Sequence, residues 1–367
     1  MPAAATIGLV HEAKPGPWGE VEYSRIVIEP PDEFMAADYD AAPSRWNFDG
    51  YDAAKLDQLW LQASLTADQL RALRDPAIRE TSPRGIVVRP PDSLVASLST
   101  ESRAVIYNTL AGLPENQLQT EPFRFRDEML EEWFSHSNVD PAIVDRIRQL
   151  LYRRGNAMLF SDPGLVLPHV PTAAGRVHLI KTLARKSTLL VKLRVRPGSD
   201  IESIAAYWSS NGRRRKDVTS LLHSLARQPE GMTLDIVHLL PRFARGLLYT
   251  YPSPEIPPEL SPDCHWTAMN FFNDVPDHRF DDISYLRDVL LTTYSPVTGS
   301  PVMGDLLLMT RADGEVVHTS VYIADEIVFT KNGRSPSIPW TLTTLPDLQA
   351  FYPANPPLEL RTFRRKN

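Results

Sequence analysis

The chain has little cysteine, little glycine and no long apolar run, and each shortage excludes a class of protein. A single cysteine among 367 residues rules out an intramolecular disulfide. No stretch approaches the roughly 18 consecutive apolar residues of a membrane-spanning helix. The 33 prolines outnumber the 17 glycines, which favours stiff connections over flexible linkers.

The charge balance also narrows the choice of partners. A net charge of −6 provides no basic field for nucleic acid or for an anionic membrane, so neither is predicted as a partner. The first residues, MPAAATIGLVHEAKPGPWG, have no basic region before a short apolar run, so they do not predict a signal peptide. The length and an apolar content of 43% predict a globular protein of two or three domains.

Residues 1–170 predict a mainly helical scaffold with an extended, proline-rich start. Apolar residues recur at helical spacing in three stretches, and the last of these helices is expected to end at Gly155. Each helix follows a residue that can cap its first turn: Thr66, Ser99 or Thr100, and Asp140 followed by Pro141. No chemistry-bearing side chains cluster in this region, so no site is predicted there.

Residues 171–254 predict a small α/β module. A strand in STLLVKLRV is followed by a turn at Pro197-Gly198, two helices, and a closing strand within LLPRFARGLLYTYPSP. The segment VRPGSDIESIA, residues 195–205, resembles the opening of LysM carbohydrate-binding modules. That resemblance implies binding of N-acetylglucosamine polymers, whereas a small packing unit without a ligand would show the same local pattern.

Cys264 stands at a predicted helix start. Prolines in EIPPELSPDC prevent a helix before it, Asp263 is a suitable N-cap, and CHWTAMNFF has helical spacing. The free N–H groups and the dipole of the first turn are expected to lower the thiol pKa and to bind an oxyanion. Considered alone, Cys264 also fits a buried structural thiol.

His318 lies in a predicted antiparallel meander further along the chain. The runs LLLMTR, VVHTSVYIA and IVFTK alternate with turns, and strand alternation places His318 on one face with Ser320. A thiol at a helix start that faces a histidine on a neighbouring sheet is the arrangement of papain-like hydrolases. The spacing therefore indicates a nucleophile and a general base.

The segment PVMGDLLLMTRADGEVVHTSVYIADEIVFTKNG resembles the NlpC-like cell-wall cysteine peptidases, over about residues 255–365. The resemblance implies an α+β fold, with a papain-like domain at 255–367 in which a nucleophile helix packs on an antiparallel sheet. It implies Cys264 as nucleophile after Asp263, and His318 as base. It also implies a peptidoglycan substrate, no cofactor, and an extracytoplasmic or periplasmic location.

The residue that orients the imidazole is open between two positions. An ungapped match falls on Thr330, but strand alternation also allows Asn332, whose amide is the favoured acceptor for the imidazole N–H. The expected substrate cleft contains five further residues: Tyr251, Asp263, His265, Trp266 and Ser320. The family usually has D-C-S-G, where this chain has DCHW, and it has a Y-x-x-G-G stretch that Tyr251 replaces only in part.

The combined prediction is a thiol-dependent amide hydrolase. Cys264 attacks an amide in a peptidoglycan stem peptide, and His318 acts as base and then as acid. One alternative is a papain-like acyltransferase or amidase that uses another acyl donor. Another is a catalytically weak cell-wall-binding or scaffold protein. Ligand spacing does not support a metal site built from Cys264, His265 and His278.

Overall fold

Antiparallel sheets interleaved with helices make up the described part of the computed structural model. The described residues are 8–35, 44–126, 130–135, 137–155, 157–209, 212, 214–253, 255–257, 260–352, 354 and 356–366. Contacts divide them into two units. Unit 1 lies within Met35–Ala184, and unit 2 lies within Ala4–Phe34 and Arg185–Asn367.

Two strands of unit 2 come first in the chain: β1 (Val10–Glu12) and β2 (Glu20–Ile28). Unit 1 follows, with strands β3 (Trp46–Asp49), β4 (Arg79–Ser82), β5 (Gly85–Val88), β6 (Phe123–Arg126), β7 (Tyr152–Arg154) and β8 (Ala157–Phe160). Its helices are α1 (Ala53–Gln62), α2 (Ala67–Leu73), α3 (Asp92–Ser97), α4 (Thr100–Leu110), α5 (Gln117–Thr120), α6 (Leu130–Ser135), α7 (Pro141–Gln149), α8 (Pro163–Val166) and α9 (Ala173–Ala184).

The rest of unit 2 begins at residue 185. Its strands are β9 (Lys186–Val195), β10 (Met232–Asp235), β11 (Tyr294–Val297), β12 (Leu306–Thr310), β13 (Val316–Ala324), β14 (Ile327–Lys331), β15 (Trp340–Thr344) and β16 (Glu359–Arg365). Its helices are α10 (Ile201–Trp208), α11 (Arg215–Ala226), α12 (Arg242–Leu247), α13 (Cys264–Met269), α14 (Ile283–Thr293) and α15 (Leu345–Phe351). No helix among these described residues is both long enough and apolar enough to cross a membrane.

The predicted helix starts in unit 1 are confirmed. Each capping side chain accepts a backbone N–H from the first turn: Thr66 before α2, Ser99 before α4 and Asp140 before α7. Helix α7 is shorter than predicted and ends at Gln149. Gly155, the expected end, instead turns the chain between β7 and β8 with a φ of 60°.

Unit 1 contains more strand than the sequence predicted. Two three-stranded sheets have the orders β3–β5–β4 and β6–β8–β7, and no strand in them exceeds four residues. Strands this short show no clear alternation of apolar and polar residues, so the pattern did not reveal them. Large aromatic side chains such as Trp46, Trp60 and Tyr107 fill the core beside the first sheet.

Unit 2 contains the other two sheets, in the orders β1–β2–β9–β10 and β11–β16–β12–β13–β14–β15. Strand β2 pairs with β9 along its whole length, from Glu20↔Arg194 to Ile28↔Lys186. The N-terminal strands therefore belong to unit 2, and not to the scaffold expected at residues 1–170. A pairing across more than 150 residues leaves no local signal in the sequence.

The order strand, helix, helix, strand predicted for the middle segment is present as β9, α10, α11 and β10. Strand β10 pairs antiparallel with β9. It lies at Met232–Asp235, before the stretch in which the closing strand was predicted. The stretch expected to form the closing strand contains α12 instead. One hydrophobic core includes Trp208 of the middle segment together with Trp266 and Phe329, so unit 2 continues through the boundary expected at residue 254.

Candidate active site

Cys264 is the first residue of α13, as the sequence predicted. Asp263 caps the helix, because its Oδ1 accepts the backbone N–H of Trp266 at 2.8 Å. The other carboxylate oxygen of Asp263 accepts a hydrogen bond from Arg334 Nη2, also at 2.8 Å. The Cys264 side chain is nearly enclosed, and the residue is only 6% exposed.

Three backbone N–H groups are directed at the Cys264 sulfur: its own and those of His265 and Thr319. The first two belong to the start of α13. The third comes from Thr319 of β13, which pairs with Leu308 of β12 and lies beyond Val321, where the pairing with β14 begins. Backbone donors in this arrangement stabilise a thiolate, or the oxyanion of a carbonyl under attack.

His318 lies on β13 with no exposed surface, and a chain of hydroxyl and amide groups holds its ring. Thr330 Oγ1 donates to Asn332 Oδ1 at 3.4 Å and lies 2.8 Å from His318 Nε2. With the Thr330 proton directed at Asn332, the Thr330 oxygen can accept from an Nε2–H of His318. This tautomer leaves the lone pair of Nδ1 available for a proton.

Both residues proposed for the orienting role thus belong to one series of side-chain hydrogen bonds, in which Thr330 is the direct partner of the imidazole. Strand pairing explains the order: Thr330 lies diagonally opposite His318 on the same face, within reach of the ring. Tyr352 covers the ring from the end of α15, with ring centroids 4.6 Å apart.

Cys264 and His318 lie on the contacting elements α13 and β13 of unit 2, without a hydrogen bond between them. His318 Nδ1 has no hydrogen-bond partner, and neither does the Ser320 hydroxyl two residues further along β13. Both residues are fully buried. Unsatisfied buried polar atoms are costly, so a bound molecule that pairs with them would gain binding free energy.

Burial controls the protonation of both groups. It raises the pKa of the Cys264 thiol to about 12, with a further rise from the Asp263 charge, and the three backbone N–H groups oppose this only in part. Burial also lowers the pKa of His318 to about 3, aided by His265 and opposed by Asp263. The prediction of a lowered thiol pKa is therefore wrong for this state, in which thiol and imidazole are both neutral at pH 7.

The other predicted cleft residues lie in different surroundings. His265 Nδ1 is 2.8 Å from Thr319 Oγ1, which connects α13 to β13. Trp266 is buried against Phe243, with ring centroids 5.3 Å apart. Tyr251 donates its hydroxyl hydrogen to the carbonyl of Ile28 at 3.4 Å, which fixes it to the end of β2 rather than to α13.

Sequence analysis missed three residues that contact the site: Thr319, Arg334 and Tyr352. Thr319 could have been found, since it adjoins His318 on the predicted strand. Arg334 and Tyr352 lie in the connections after β14 and α15, where the sequence pattern does not predict which way a side chain points. Their contacts depend on tertiary folding.

Among the residues that the structure describes, no group of three or more His, Cys, Asp or Glu side chains could hold a metal ion. No protein-family model, curated protein or solved structure matches this chain. The functional interpretation therefore depends on the residues themselves and on the sequence resemblance given above.

Proposed function

We propose that the protein is a thiol-dependent amide hydrolase of the papain-like type, with Cys264 as nucleophile and His318 as base. The observation that carries this proposal is the surroundings of the thiol. Three backbone N–H groups converge on its sulfur. Strand β13, which contacts α13 through Thr319, carries a buried imidazole that Thr330 holds and whose Nδ1 is unpaired. A core cysteine would have no use for either feature.

The first half-reaction forms a thioester. The Cys264 sulfur forms a bond to the amide carbonyl carbon while its proton passes to His318 Nδ1, and the backbone N–H groups stabilise the oxyanion. The C–N bond then breaks, and the departing amine takes the proton from His318. Because thiol and imidazole start neutral, the proton moves during attack and no ion pair forms beforehand.

The second half-reaction restores the thiol. Water gives a proton to His318 Nδ1 and its oxygen forms a bond to the thioester carbon. The C–S bond breaks, and the thiolate recovers the proton. The hydrogen bond from Nε2 to Thr330 is maintained throughout and keeps the ring in one orientation.

Resemblance supports peptidoglycan as the substrate, with cleavage in its stem peptides. The residues that carry it are Asp263-Cys264, Gly304-Asp305 and His318 in the order and spacing of NlpC-like peptidases. The expected location is the cell wall or periplasm. The middle segment, with its strand-helix-helix-strand order, is the part that would bind the glycan.

A peptidoglycan digest tests this function. Wild type and Cys264→Ser are incubated with purified sacculi, and released fragments are separated and identified by mass spectrometry. New free amines and carboxylates in the stem peptides, produced by wild type alone, are expected. Transfer of the acyl group to an added amine, with no hydrolysis, would instead indicate the acyltransferase alternative.

A second candidate is a wall-binding or scaffold protein without turnover. The absent hydrogen bond between Cys264 and His318 and the raised thiol pKa favour it. It predicts that sacculi bind wild type and Cys264→Ser equally, with no fragments released by either.

A further inference from the structure

We propose that His265 and Thr319 form a positioning pair that holds β13 against the nucleophile helix. The pair keeps the Thr319 N–H directed at the reacting sulfur. This inference depends on the proposed function, and it assigns a role to the residue that replaces serine in the D-C-S-G pattern. In this role the two side chains contact each other and not the substrate, whose oxyanion the backbone N–H groups would bind.

The contact joins the helix that carries the proposed nucleophile to the strand that carries the proposed base. His265 follows Cys264 in the first turn of α13, and Thr319 follows His318 on β13. The 2.8 Å contact between His265 Nδ1 and Thr319 Oγ1 therefore links the neighbour of the nucleophile to the neighbour of the base. Movement at this contact shifts β13, which carries His318, relative to α13, which carries Cys264.

The local structure shows what the link adds. Strand β12 pairs with β13 from Thr310↔Val316 to Leu306↔Val321, whereas β14 pairs with β13 only from Val321 onward. Helix α13 has six residues, of which all but His265 are buried. The hydrogen bond between His265 and Thr319 adds a side-chain link from α13 to this strand, and the backbone N–H of Thr319 is directed at the sulfur.

Geometry decides which substitutions preserve the pair. The contact uses Nδ1 of His265, and the side-chain amide of Asn occupies about the position of Nδ1, whereas that of Gln reaches the position of Nε2. Likewise, Thr319→Ser keeps the hydroxyl, and Thr319→Val replaces it by a methyl group of similar size. Each residue thus has a preserving and a removing variant.

Acylation of Cys264 by p-nitrophenyl acetate measures the effect without knowledge of the natural substrate. Release of p-nitrophenolate at pH 8 is followed at increasing ester concentration, with Cys264→Ser as the blank and thermal unfolding as a check of folding. His265→Gln and Thr319→Val are expected to lower the maximal acylation rate by about 10- to 100-fold. His265→Asn and Thr319→Ser should stay within about threefold of wild type. The half-saturating ester concentration should be unchanged in all four variants.

A double variant tests whether the two residues act as one unit. His265→Gln combined with Thr319→Val should be no slower than either single variant, because the hydrogen bond can be lost only once. Equal rates for wild type and His265→Gln, or loss of rate in His265→Asn equal to that in His265→Gln, would overturn the positioning role. A wild-type rate no higher than the Cys264→Ser blank would overturn the proposed function itself.

Discussion

At the scale of single residues, burial outweighs the helix N-terminus in setting the protonation of Cys264. A first-turn position supplies backbone N–H donors, but the sulfur is almost completely enclosed and Asp263 adds a negative charge beside it. Desolvation disfavours the thiolate more than the donors favour it. The same enclosure keeps His318 neutral, so the resting site holds its proton on sulfur.

Acid should destabilise unit 2 through His318. Its pKa is about 3 in the folded state against a usual 6.5, so the unfolded state binds an additional proton between these values. Stability is therefore complete above pH 6.5 and falls by about 1.4 kcal/mol for each pH unit below it, down to about pH 3. Denaturant unfolding of unit 2 at pH 7, 6 and 5 measures this slope.

His318→Gln provides the control, because glutamine does not titrate. Its unfolding free energy should vary less with pH than that of wild type across the same range. An identical slope in both proteins would show that His318 does not titrate with the predicted low pKa.

Thr330 should matter more for the reaction than Asn332. Thr330→Val removes the acceptor for the imidazole Nε2–H and frees the ring, so kcat/KM should fall by about 100-fold. Thr330→Ser keeps the hydroxyl and should retain most of the activity. Asn332→Ala removes only the more distant acceptor and should cost less than Thr330→Val, as steady-state kinetics would measure.

At the scale of elements, the site is built where a short helix meets the ends of β13 and β14 that pair with β12 and β15 but not with each other. Helix α13 begins after a proline-rich segment that cannot be helical, and Asp263 fixes its first turn. Strands β13 and β14 bring His318 and Thr330 onto one face beyond Val321↔Phe329. Both features follow from local chemistry, which explains why the sequence predicted them.

The Asp263 cap and the Asp263 charge should have separable effects. Asp263→Asn keeps a capping side chain but removes the charge that raises the thiol pKa, so that pKa should fall. Alkylation of Cys264 by iodoacetamide at pH 9 should then be several-fold faster than in wild type.

Asp263→Ala serves as the comparison. It removes the charge and the cap together and should cost about 1 kcal/mol in unfolding free energy, which Asp263→Asn should retain. Slower alkylation in Asp263→Asn than in wild type would contradict the assigned effect of the charge.

At the scale of the whole molecule, sequence patterns predicted the elements better than their assembly. The caps at Thr66 and Asp140 and the start of α13 depend on neighbouring residues, and they were predictable. The pairing of β2 with β9 and the burial that raises the Cys264 pKa depend on residues far apart in the chain. Local patterns contain no signal for either.

Unit 1 has a buried charged cluster of its own. Arg103 and Asp162 lie 3.5 Å apart with almost no exposure, and Tyr107 donates to Asp162 at 2.6 Å. Burial raises the pKa of Asp162 to about 6, although Arg103 and Tyr107 oppose the rise. The cluster therefore carries an incompletely compensated carboxylate.

Arg103→Met should destabilise unit 1 by about 3–5 kcal/mol at pH 8, because it leaves the buried carboxylate without its cation. The loss should be smaller at pH 5, where Asp162 takes up a proton and becomes neutral. Chemical denaturation at both pH values measures the difference. An equal loss at both values would mean that Asp162 does not titrate in this range.

The central claim is that Cys264 becomes covalently acylated with His318 as the base. Intact-mass spectrometry after acid quenching measures it directly, in wild type, Cys264→Ser and His318→Gln mixed with an activated acyl ester at pH 8. The account predicts an acyl adduct on the Cys264 peptide of wild type, absent in Cys264→Ser and at least about 100-fold slower in His318→Gln. An adduct that forms equally fast without His318, or no adduct on Cys264 at all, would contradict it.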